Sequence, residues 1–323
     1  MQLGFGCARL GSASSGARHR DATRLVRDAV EQGVTVFDTA VAYGAGASER
    51  LLGNALRGVR SQVTIATKGG YVFRPRTRAE QRIRRAVRAV AARRPMSGTP
   101  VPSGSAYGPQ DFSPANLRRR LHDSLRRLRT DHVDLYQLHG PHELLPELLE
   151  ELSDLVADGK VLRLGVGAES VSDAARWADV PGLDALQLPF GVLDPEAADD
   201  VFPAARARSV DIWARGVLGG GLLAAFDRDD PTMAGEPKRH QIAALRDLAA
   251  ESGLDPYQLA VGFVRAHRDV STVLLGIGSR GHLERNLELM RQPALDEDLV
   301  ARIRRLGAQA VVAPIDASGE RSS

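Results

Sequence analysis

Cysteine is nearly absent from this chain of 323 residues, in which Cys7 is the only one. A single thiol excludes an internal disulfide framework and is typical of proteins from a reducing compartment. No apolar run approaches the roughly 18 residues that a membrane-spanning helix needs. Residues 1–4 also lack the basic start and apolar core of a secretory signal. We therefore expect a cytoplasmic protein without a membrane anchor.

Aromatic residues make up only 5% of the chain, and the formal net charge is only +3 although the pI is 9.3. Positive charge is concentrated in residues 74–94, which hold nine arginines and one acid, Glu80. This run has no aromatic side chain to stack on bases, and no nucleic-acid-binding motif accompanies it, so nucleic acid is not expected as a partner. We interpret the run either as a solvated basic helix with a flexible flap, or as a lid that attracts an anionic substrate or a cofactor phosphate.

Short apolar runs alternate with segments of helical spacing, which is typical of βα units and a parallel sheet. We predict strands over residues 2–6, 34–38, 63–67, 133–138, 161–167, 185–188, 210–214 and 272–276. We predict helices over residues 21–32, 48–57, 113–128, 144–157, 170–178, 195–207, 238–253, 255–267, 281–291 and 295–306. Since eight such strands close a barrel, we predict an α/β fold of the (β/α)8 TIM-barrel type, with additional helices at 238–253 and 295–306.

Residues 71–113, which separate the third strand from its helix, are far longer than the roughly two to six residues of an ordinary βα loop. In a barrel such a loop overhangs the C-terminal ends of the strands, where the chemistry of this fold takes place. Length alone allows one large barrel or two medium domains. The strand count favours a single domain over residues 1–312, with 71–113 as a loop insertion on the catalytic face and 313–323 as a flexible tail.

Four polar residues stand at or just past the ends of predicted strands: Asp38, Tyr43, Lys68 and His139. A phenol keeps its proton to about pH 10, so Tyr43 needs a neighbouring cation such as Lys68 to act as an acid at neutral pH. Asp38 would be the counter-ion that a buried lysine requires. A neutral His139 is suited to orient a carbonyl oxygen beside Tyr43. The set fits hydride addition to a carbonyl carbon, with the hydride coming from a bound cofactor.

Two other kinds of site are not expected. The segment His139-Gly-Pro-His142-Glu143 superficially suggests metal ligands, but Gly140 and Pro141 preclude the single helical face of an H-E-x-x-H zinc site. We therefore predict no metal. No G-x-G-x-x-G fingerprint follows any predicted strand, which argues against a doubly wound dinucleotide-binding domain.

Several motifs resemble those of the aldo-keto reductases. The stretch Val34-Thr-Val-Phe-Asp-Thr-Ala-Val-Ala-Tyr43-Gly, continued by Ser48-Glu49, is similar to the family's Asp and Tyr-Gly motif. Ala66-Thr-Lys68 and Val133-Asp-Leu-Tyr-Gln-Leu-His139 resemble the strands that carry its lysine and histidine, and the similarity extends over residues 3–306. The resemblance implies a (β/α)8 barrel that binds NADPH, or less often NADH. It further implies that Tyr43 donates the proton, Asp38 and Lys68 tune it, and His139 guides the substrate carbonyl.

The same resemblance implies a set of cofactor contacts. Gln187 matches the residue that holds the nicotinamide carboxamide, and Phe190 takes the place of an aromatic that stacks on the ring. Two side chains that grip the carboxamide in relatives are absent, since this chain has Gly167 and Ala168 there, followed by Glu169 as a substitute. The pyrophosphate loop is matched by Ala214, Arg215, Leu218 and Gly219. The adenosine half is matched by Gly276, Ser279, Arg280, His282, Arg285 and Asn286, among which Ser279 and Arg280 suit a 2′-phosphate.

We therefore predict an NAD(P)H-dependent oxidoreductase that reduces the aldehyde or ketone group of a small molecule. Phe73 and Trp213 are candidates to line the substrate pocket, and a keto-sugar or a specialised-metabolite intermediate is a candidate substrate. Two alternatives stay open: a cofactor-binding regulatory module with little turnover, and a sugar dehydrogenase that works in the oxidative direction. The oligomeric state is also open, because many relatives plug the barrel bottom with a β-hairpin that does not precede residue 2 here, so side chains or another subunit must close it.

Overall fold

The computed structural model describes residues 1–8, 10, 19–72, 108–221 and 238–312. Within them, eight parallel strands close into a barrel in chain order, which confirms the predicted fold. The strands are β1 (Gln2–Gly6), β2 (Val36–Asp38), β3 (Thr64–Gly69), β4 (Val133–His139), β5 (Val161–Gly167), β6 (Ala185–Pro189), β7 (Asp211–Arg215) and β8 (Val270–Gly276).

Helices follow the strands and form the outer layer. They are α1 (His19–Glu31), α2 (Ala47–Ala55), α3 (Pro114–Leu128), α4 (Glu147–Glu151), α5 (Ser153–Ala157), α6 (Val171–Trp177), α7 (Ala197–Asp200), α8 (Phe202–Ala207), α9 (Arg239–Glu251), α10 (Pro256–Arg265), α11 (Arg280–Arg291) and α12 (Glu297–Val312). Two predicted helices are each split in two: 144–157 at Leu152, and 195–207 at Val201, whose φ of −120° departs from helical geometry. The predicted additional helices correspond to α9 and α12, which pack on each other.

The centre of the barrel is filled by an apolar cluster that we call the inner layer. It consists of Val36, Ala66, Leu135, Ala185, Trp213 and Leu274. Side chains alternate along a strand, so the neighbours of these residues, such as Phe37 and Ile212, face outward into the core under the helices. Gly4 makes room for this packing, because a Cβ there would lie 2.5 Å from Leu274 Cδ2. The inner layer therefore fills the barrel interior beneath the C-terminal ends of the strands.

Polar side chains occupy the interior near the opposite, N-terminal end of the strands. Arg163 of β5 forms an ion pair with Asp211 of β7, with 2.5 Å between Nη1 and Oδ2. The Gln2 side-chain amide of β1 donates to the hydroxyl of Thr272 on β8 at 3.3 Å. Side-chain contacts thus connect β5 with β7, and β1 with β8, at this end of the barrel.

Parts of the sequence-based predictions lie outside the described residues. These include residues 73–107, which hold the arginine run and most of the predicted 71–113 loop, and the predicted tail 313–323. The proposed limits of the domain therefore stay predictions. No helix among the described residues is both long enough and apolar enough to cross a membrane.

Candidate active site

The four predicted catalytic residues lie together at the C-terminal end of the barrel. Lys68 Nζ of β3 donates to both carboxylate oxygens of Asp38, the last residue of β2, at 2.5 and 2.7 Å. Tyr43, in the turn after β2, has its hydroxyl 3.5 Å from the same Nζ. His139 ends β4, and its ring centroid lies 6.0 Å from that of Tyr43. An ion pair, a phenol and an imidazole therefore converge at one place.

Two side-chain amides also bind the Asp38 carboxylate, which is 4% exposed. Gln187 of β6 donates to Oδ1 at 3.0 Å, and Gln137 of β4 donates to the same atom at 3.4 Å. The sequence analysis assigned Gln187 to a cofactor amide and did not identify Gln137. Its position two residues before His139 was an available signal, because alternation along β4 places both side chains on the interior face. Together these contacts fix the carboxylate that holds Lys68.

His139 is fixed by residues at the two ends of the long excursion between β3 and α3. Tyr71 and Gln110 form an isolated antiparallel bridge, which we call the loop neck. The Tyr71 ring meets the His139 ring edge-on with 4.9 Å between centroids. The Gln110 side-chain amide donates to the carbonyl oxygens of His139 and Gly140 at 3.0 and 2.9 Å. Sequence reasoning missed both neck residues, because nothing local shows that positions 71 and 110 meet.

The site environment acts on the proton affinities of Tyr43 and His139. Burial raises the pKa of Tyr43 well above its ordinary value near 10, the Asp38 carboxylate raises it further, and the Arg215 guanidinium opposes both. Burial lowers the pKa of His139 well below 6.5, and the charges of Lys68 and Arg215 lower it further. Tyr43 is therefore protonated and His139 neutral at neutral pH. The Lys68 ammonium is paired with the Asp38 carboxylate, and its expected effect on the Tyr43 proton stays a prediction.

Arg215 lies at the mouth of the barrel and not in the glycine-rich turn with which it was grouped. Its Nη2 donates to the carbonyl oxygens of Ala168 and Glu169, beyond the end of β5, at 2.7 and 2.9 Å. The Glu169 carboxylate is 3.8 Å from the same nitrogen. A Cβ on Gly140 would lie 2.6 Å from a Glu169 carboxylate oxygen, so this acid sits directly beside the segment that follows His139.

The rest of the predicted pyrophosphate loop follows β7. Gly219 has a φ of 65° and begins a short 3-10 turn over Gly219–Gly221, while Leu218 packs against the outer core. Ala214 is fully buried and faces outward, so only its backbone is available to a ligand. A Cβ on Gly216 would have open space around it. This segment offers accessible backbone of the kind that approaches phosphate oxygens.

The predicted adenosine segment forms the start of α11, a helix of 12 residues. Ser279 caps it by accepting a hydrogen bond from the backbone N–H of His282 at 3.2 Å. Arg280 is exposed at the first turn and pairs with Glu284 at 2.9 Å. A capped helix N-terminus beside an exposed arginine suits a phosphate group.

Two further residues of this segment have structural contacts. The Asn286 side-chain amide is buried and donates to the Gly276 carbonyl oxygen at the end of β8 at 3.4 Å. The Arg285 guanidinium lies 4.0 Å from the ring centroid of Tyr257 and pairs with Asp255. Arg285 is therefore directed towards α10, which leaves Arg280 as the better placed cation for a 2′-phosphate.

The packing bears on two aromatic predictions. The Phe190 ring is 1% exposed and contacts Phe202 of α8, Phe263 of α10 and His267, which follows α10. This packing gives no support to its stacking on nicotinamide, which stays a prediction. Trp213 belongs to the inner layer, which gives it a packing role and leaves its predicted substrate contact without structural support. Phe73, the other predicted substrate residue, lies outside the described residues.

No cluster of three or more histidine, cysteine, aspartate or glutamate side chains in the described part of the chain is arranged to hold a metal ion. Cys7 is fully buried after β1, and its thiol donates to the carbonyl oxygen of Phe5 at 3.3 Å.

Comparison with known proteins gives a family match and several similar structures. The model of the Aldo/keto reductase family matches residues 2–308. Aldo-keto reductase YhdN of Bacillus subtilis is 29% identical over 74% of this chain, an alignment that covers 65% of YhdN, slightly less than two thirds. The holo form of aldo-keto reductase AKR11C1 from Bacillus halodurans has 26% identity and a TM-score of 0.74, covering 94% of this chain and 91% of that one. The glycerol dehydrogenase AKR11B4 from Gluconobacter oxydans has 25% identity and a TM-score of 0.73, covering 99% and 95%.

Proposed function

The chain belongs to the aldo/keto reductase family of oxidoreductases, and on that premise we propose that it reduces an aldehyde or ketone to an alcohol with NADPH. One observation carries the proposal: the buried Lys68–Asp38 pair lies beside the Tyr43 hydroxyl and the neutral His139 ring. A phenol and an imidazole close together are suited to hold one carbonyl oxygen and to protonate it.

The residues present fit a dinucleotide. Open backbone at Gly216, the capped start of α11 and the exposed Arg280 suit its phosphates, while Gln187 at the barrel mouth suits its carboxamide. The bound reduced dinucleotide would supply the hydride. Arg280 and Ser279 favour NADPH, with NADH as the second choice. The holo form of the similar AKR11C1 supports a bound cofactor here as well.

The chain's own residues then have distinct parts. We infer that His139 donates a hydrogen bond to the carbonyl oxygen and holds it near Tyr43, which delivers its proton as the oxygen gains negative charge. Lys68 stands 3.5 Å from the phenol oxygen and is held in place by Asp38, so it donates towards the phenolate as that charge develops. Gln187 and Gln137 keep the carboxylate in the orientation that holds Lys68.

The direct test is consumption of NADPH or NADH with a panel of neutral, carboxylated and phosphorylated aldehydes and ketones. The panel includes keto-sugars, and we expect turnover of at least one of its carbonyl compounds. Tight dinucleotide binding without turnover of any carbonyl or alcohol would instead support the regulatory-module alternative. The panel includes polyols because a similar structure is a glycerol dehydrogenase, which favours testing the oxidative direction too. An anionic preference that weakens as salt rises would support a lid role for residues 74–94.

The pH dependence of the reaction follows from the directions in which the pKa values of Tyr43 and His139 are shifted. Reduction needs protonated Tyr43, whose pKa lies well above 10, so kcat/KM for reduction should stay flat to about pH 9 and fall only beyond it. His139 has a lowered pKa and remains neutral, so no decline centred near 6.5 is expected on the acid side. Alcohol oxidation needs the phenolate form of Tyr43. The rate of oxidation should therefore rise as the pH approaches the raised pKa of Tyr43. A bell-shaped profile of kcat/KM centred near neutral pH would contradict these assignments.

A further inference from the structure

Charge is segregated between two neighbouring parts of the outer layer. Residues 114–129, which form α3 and its C-cap, contain six arginines and one acid, Asp123. Residues 143–158, which include α4 and α5, contain six acids and neither lysine nor arginine. The two segments border the neighbouring strands β3 and β4, and Arg118 of α3 pairs with Asp154 of α5 at 3.0 Å. A basic helix therefore lies directly beside an acidic pair of helices.

Several arginines of the first segment turn their side chains towards solvent, and we call them the basic ridge. Arg126 is 80% exposed and pairs with Asp123 of the same helix. Arg119 is exposed and donates to the side chain of Asn116, also on α3, at 2.8 Å. Arg129 is exposed and forms no ion pair within the described residues. The basic ridge consists of Arg118, Arg119, Arg126 and Arg129.

The carboxylates of residues 143–158 form what we call the acidic ridge. All six are exposed, and within the described part of the chain only Asp154 is in an ion pair. Leu144 and Val156 on the same ridge are 43% and 38% exposed, and Leu162 just beyond it is 52% exposed. An acidic surface that also exposes apolar side chains has the character of a partner surface. The acidic ridge consists of Glu143, Glu147, Glu150, Glu151, Asp154 and Asp158.

A second copy of the chain supplies a surface complementary to this one. Guanidinium groups pair with carboxylates, and the stems of arginine side chains cover apolar groups such as Leu144 and Val156. Because the two ridges lie side by side, a two-fold axis along the groove between them places each ridge on the opposite ridge of the other copy. The surface is therefore complementary to itself, and every contact forms twice.

We propose that the chain forms a symmetric dimer in which the basic ridge of each copy lies against the acidic ridge of the other. At about 1.5 Å per residue, α3 is about 22 Å long, so this surface falls at the low end of interface sizes. The dimer is accordingly weak and sensitive to salt. Neither ridge includes a residue of the catalytic group or a predicted dinucleotide contact, so the inference is independent of the proposed function.

The test is sedimentation velocity on the full chain, which measures the dissociation constant of the dimer. At about 50 mM salt we expect the 34.7 kDa monomer at about 1 µM and mostly dimer at about 100 µM. The ridge charges are exposed to solvent. Raising the salt to about 500 mM should therefore raise this Kd by about 10-fold or more.

Charge reversal on each ridge tests which surfaces meet. Arg119→Glu/Arg126→Glu places carboxylates opposite the acidic ridge, and Glu147→Arg/Glu150→Arg places guanidinium groups opposite the basic ridge. Each variant alone should raise the Kd by about 10-fold or more, because like charges then face each other twice. An equimolar mixture of the two should dimerise more tightly than either alone. In the mixed dimer one pair of ridges keeps its original charges, and in the other pair both partners are reversed.

Arg20→Glu/Arg24→Glu is the matched control for the reversed basic ridge. It makes the same change in net charge at two exposed arginines of α1, which α2 separates from α3. Its Kd should equal that of wild type. Thermal unfolding shows that each variant is folded, and the neutral variant Arg119→Gln/Arg126→Gln serves if the reversed one is not.

Four results would overturn the inference. A wild-type monomer at about 100 µM and low salt would mean that no such dimer forms. A dimer whose Kd ignores salt and both reversals would be built on another surface. Loss of the dimer in each variant, with no gain in the mixture, would show that the two ridges do not meet. Loss of the dimer when a Gly-Ser linker replaces residues 74–94, with no effect of Arg119→Glu/Arg126→Glu, would assign the acidic ridge to that arginine-rich segment.

Discussion

Replacing Tyr43 by phenylalanine should lower kcat for carbonyl reduction by about 10²- to 10⁴-fold, the usual contribution of a positioned general acid. The substitution removes only the hydroxyl, which lies 3.5 Å from Lys68 Nζ, and keeps the ring beside His139. Because the phenol contacts the substrate oxygen in this mechanism, the Kd for NADPH should hardly change. Single-turnover kinetics and a cofactor titration measure the two quantities separately.

Tyr136→Phe provides the matched control for this change. Tyr136 lies on β4 and is fully buried, whereas Tyr43 is partly buried, and the Tyr136 hydroxyl donates to the carbonyl oxygen of Leu117 in the outer core, at 2.9 Å. Its loss should lower the free energy of unfolding by about 1 kcal/mol and leave kcat unchanged. Equal kcat values for wild type and Tyr43→Phe would contradict the proposed role of Tyr43, and unaltered binding with no turnover in either would point to the regulatory module.

Separating Lys68 from Asp38 should have the largest effect on stability. Both side chains are almost fully buried, at 1% and 6% exposure, and removing one partner of a buried pair leaves an uncompensated charge. We expect Lys68→Met and Asp38→Leu each to lower the free energy of unfolding by about 3–5 kcal/mol. The free energy of unfolding should fall further in Asp38→Leu than in Lys68→Met. It leaves the ammonium with the Thr39 carbonyl oxygen and the Tyr43 hydroxyl, whereas the carboxylate would keep two amide donors.

The double variant Asp38→Leu/Lys68→Met tests whether the pair serves stability or chemistry. Replacing a buried ion pair by apolar residues of similar size is often neutral or stabilising, so stability should return close to that of wild type. Activity should not return, since the double variant lacks the cation beside Tyr43. Denaturant unfolding and kcat give the two results. If the double variant were as unstable as the sum of the single ones, the amide contacts of Gln187 and Gln137 would dominate instead.

The barrel and its catalytic group could be predicted because they depend on local signals. Eight apolar runs separated by helical segments specify the strand count, and the residue after each run lies at the C-terminal end by construction. Asp38, Lys68 and His139 were found this way, and each ends or nearly ends its strand. By contrast, the Ser48 hydroxyl donates to the Cys7 carbonyl oxygen, a contact between segments far apart in the chain.

Features that depend on which way a side chain turns were harder to predict. Phe190 follows β6 directly, yet its ring packs outward against Phe202 of α8 and Phe263 of α10. These two aromatic residues are remote from Phe190 in sequence, so the packing could not be predicted from the motif. Arg215 was grouped with the glycines that follow it, whereas its guanidinium reaches back across β6 to β5. Both outcomes are set by neighbours that are remote in sequence, which no motif encodes.

The loop neck bears on how enzymes of this shape can diverge. Tyr71 and Gln110 join the chain before and after residues 73–107, with further backbone bonds from Val72 to Pro109 and from Asp111 to Gly70. Closing a longer or shorter segment costs free energy that grows only with the logarithm of its length. New sequence can therefore be inserted between Val72 and Gly108 without altering the contacts that hold His139. For engineering, this segment can therefore be exchanged while the catalytic residues keep their positions.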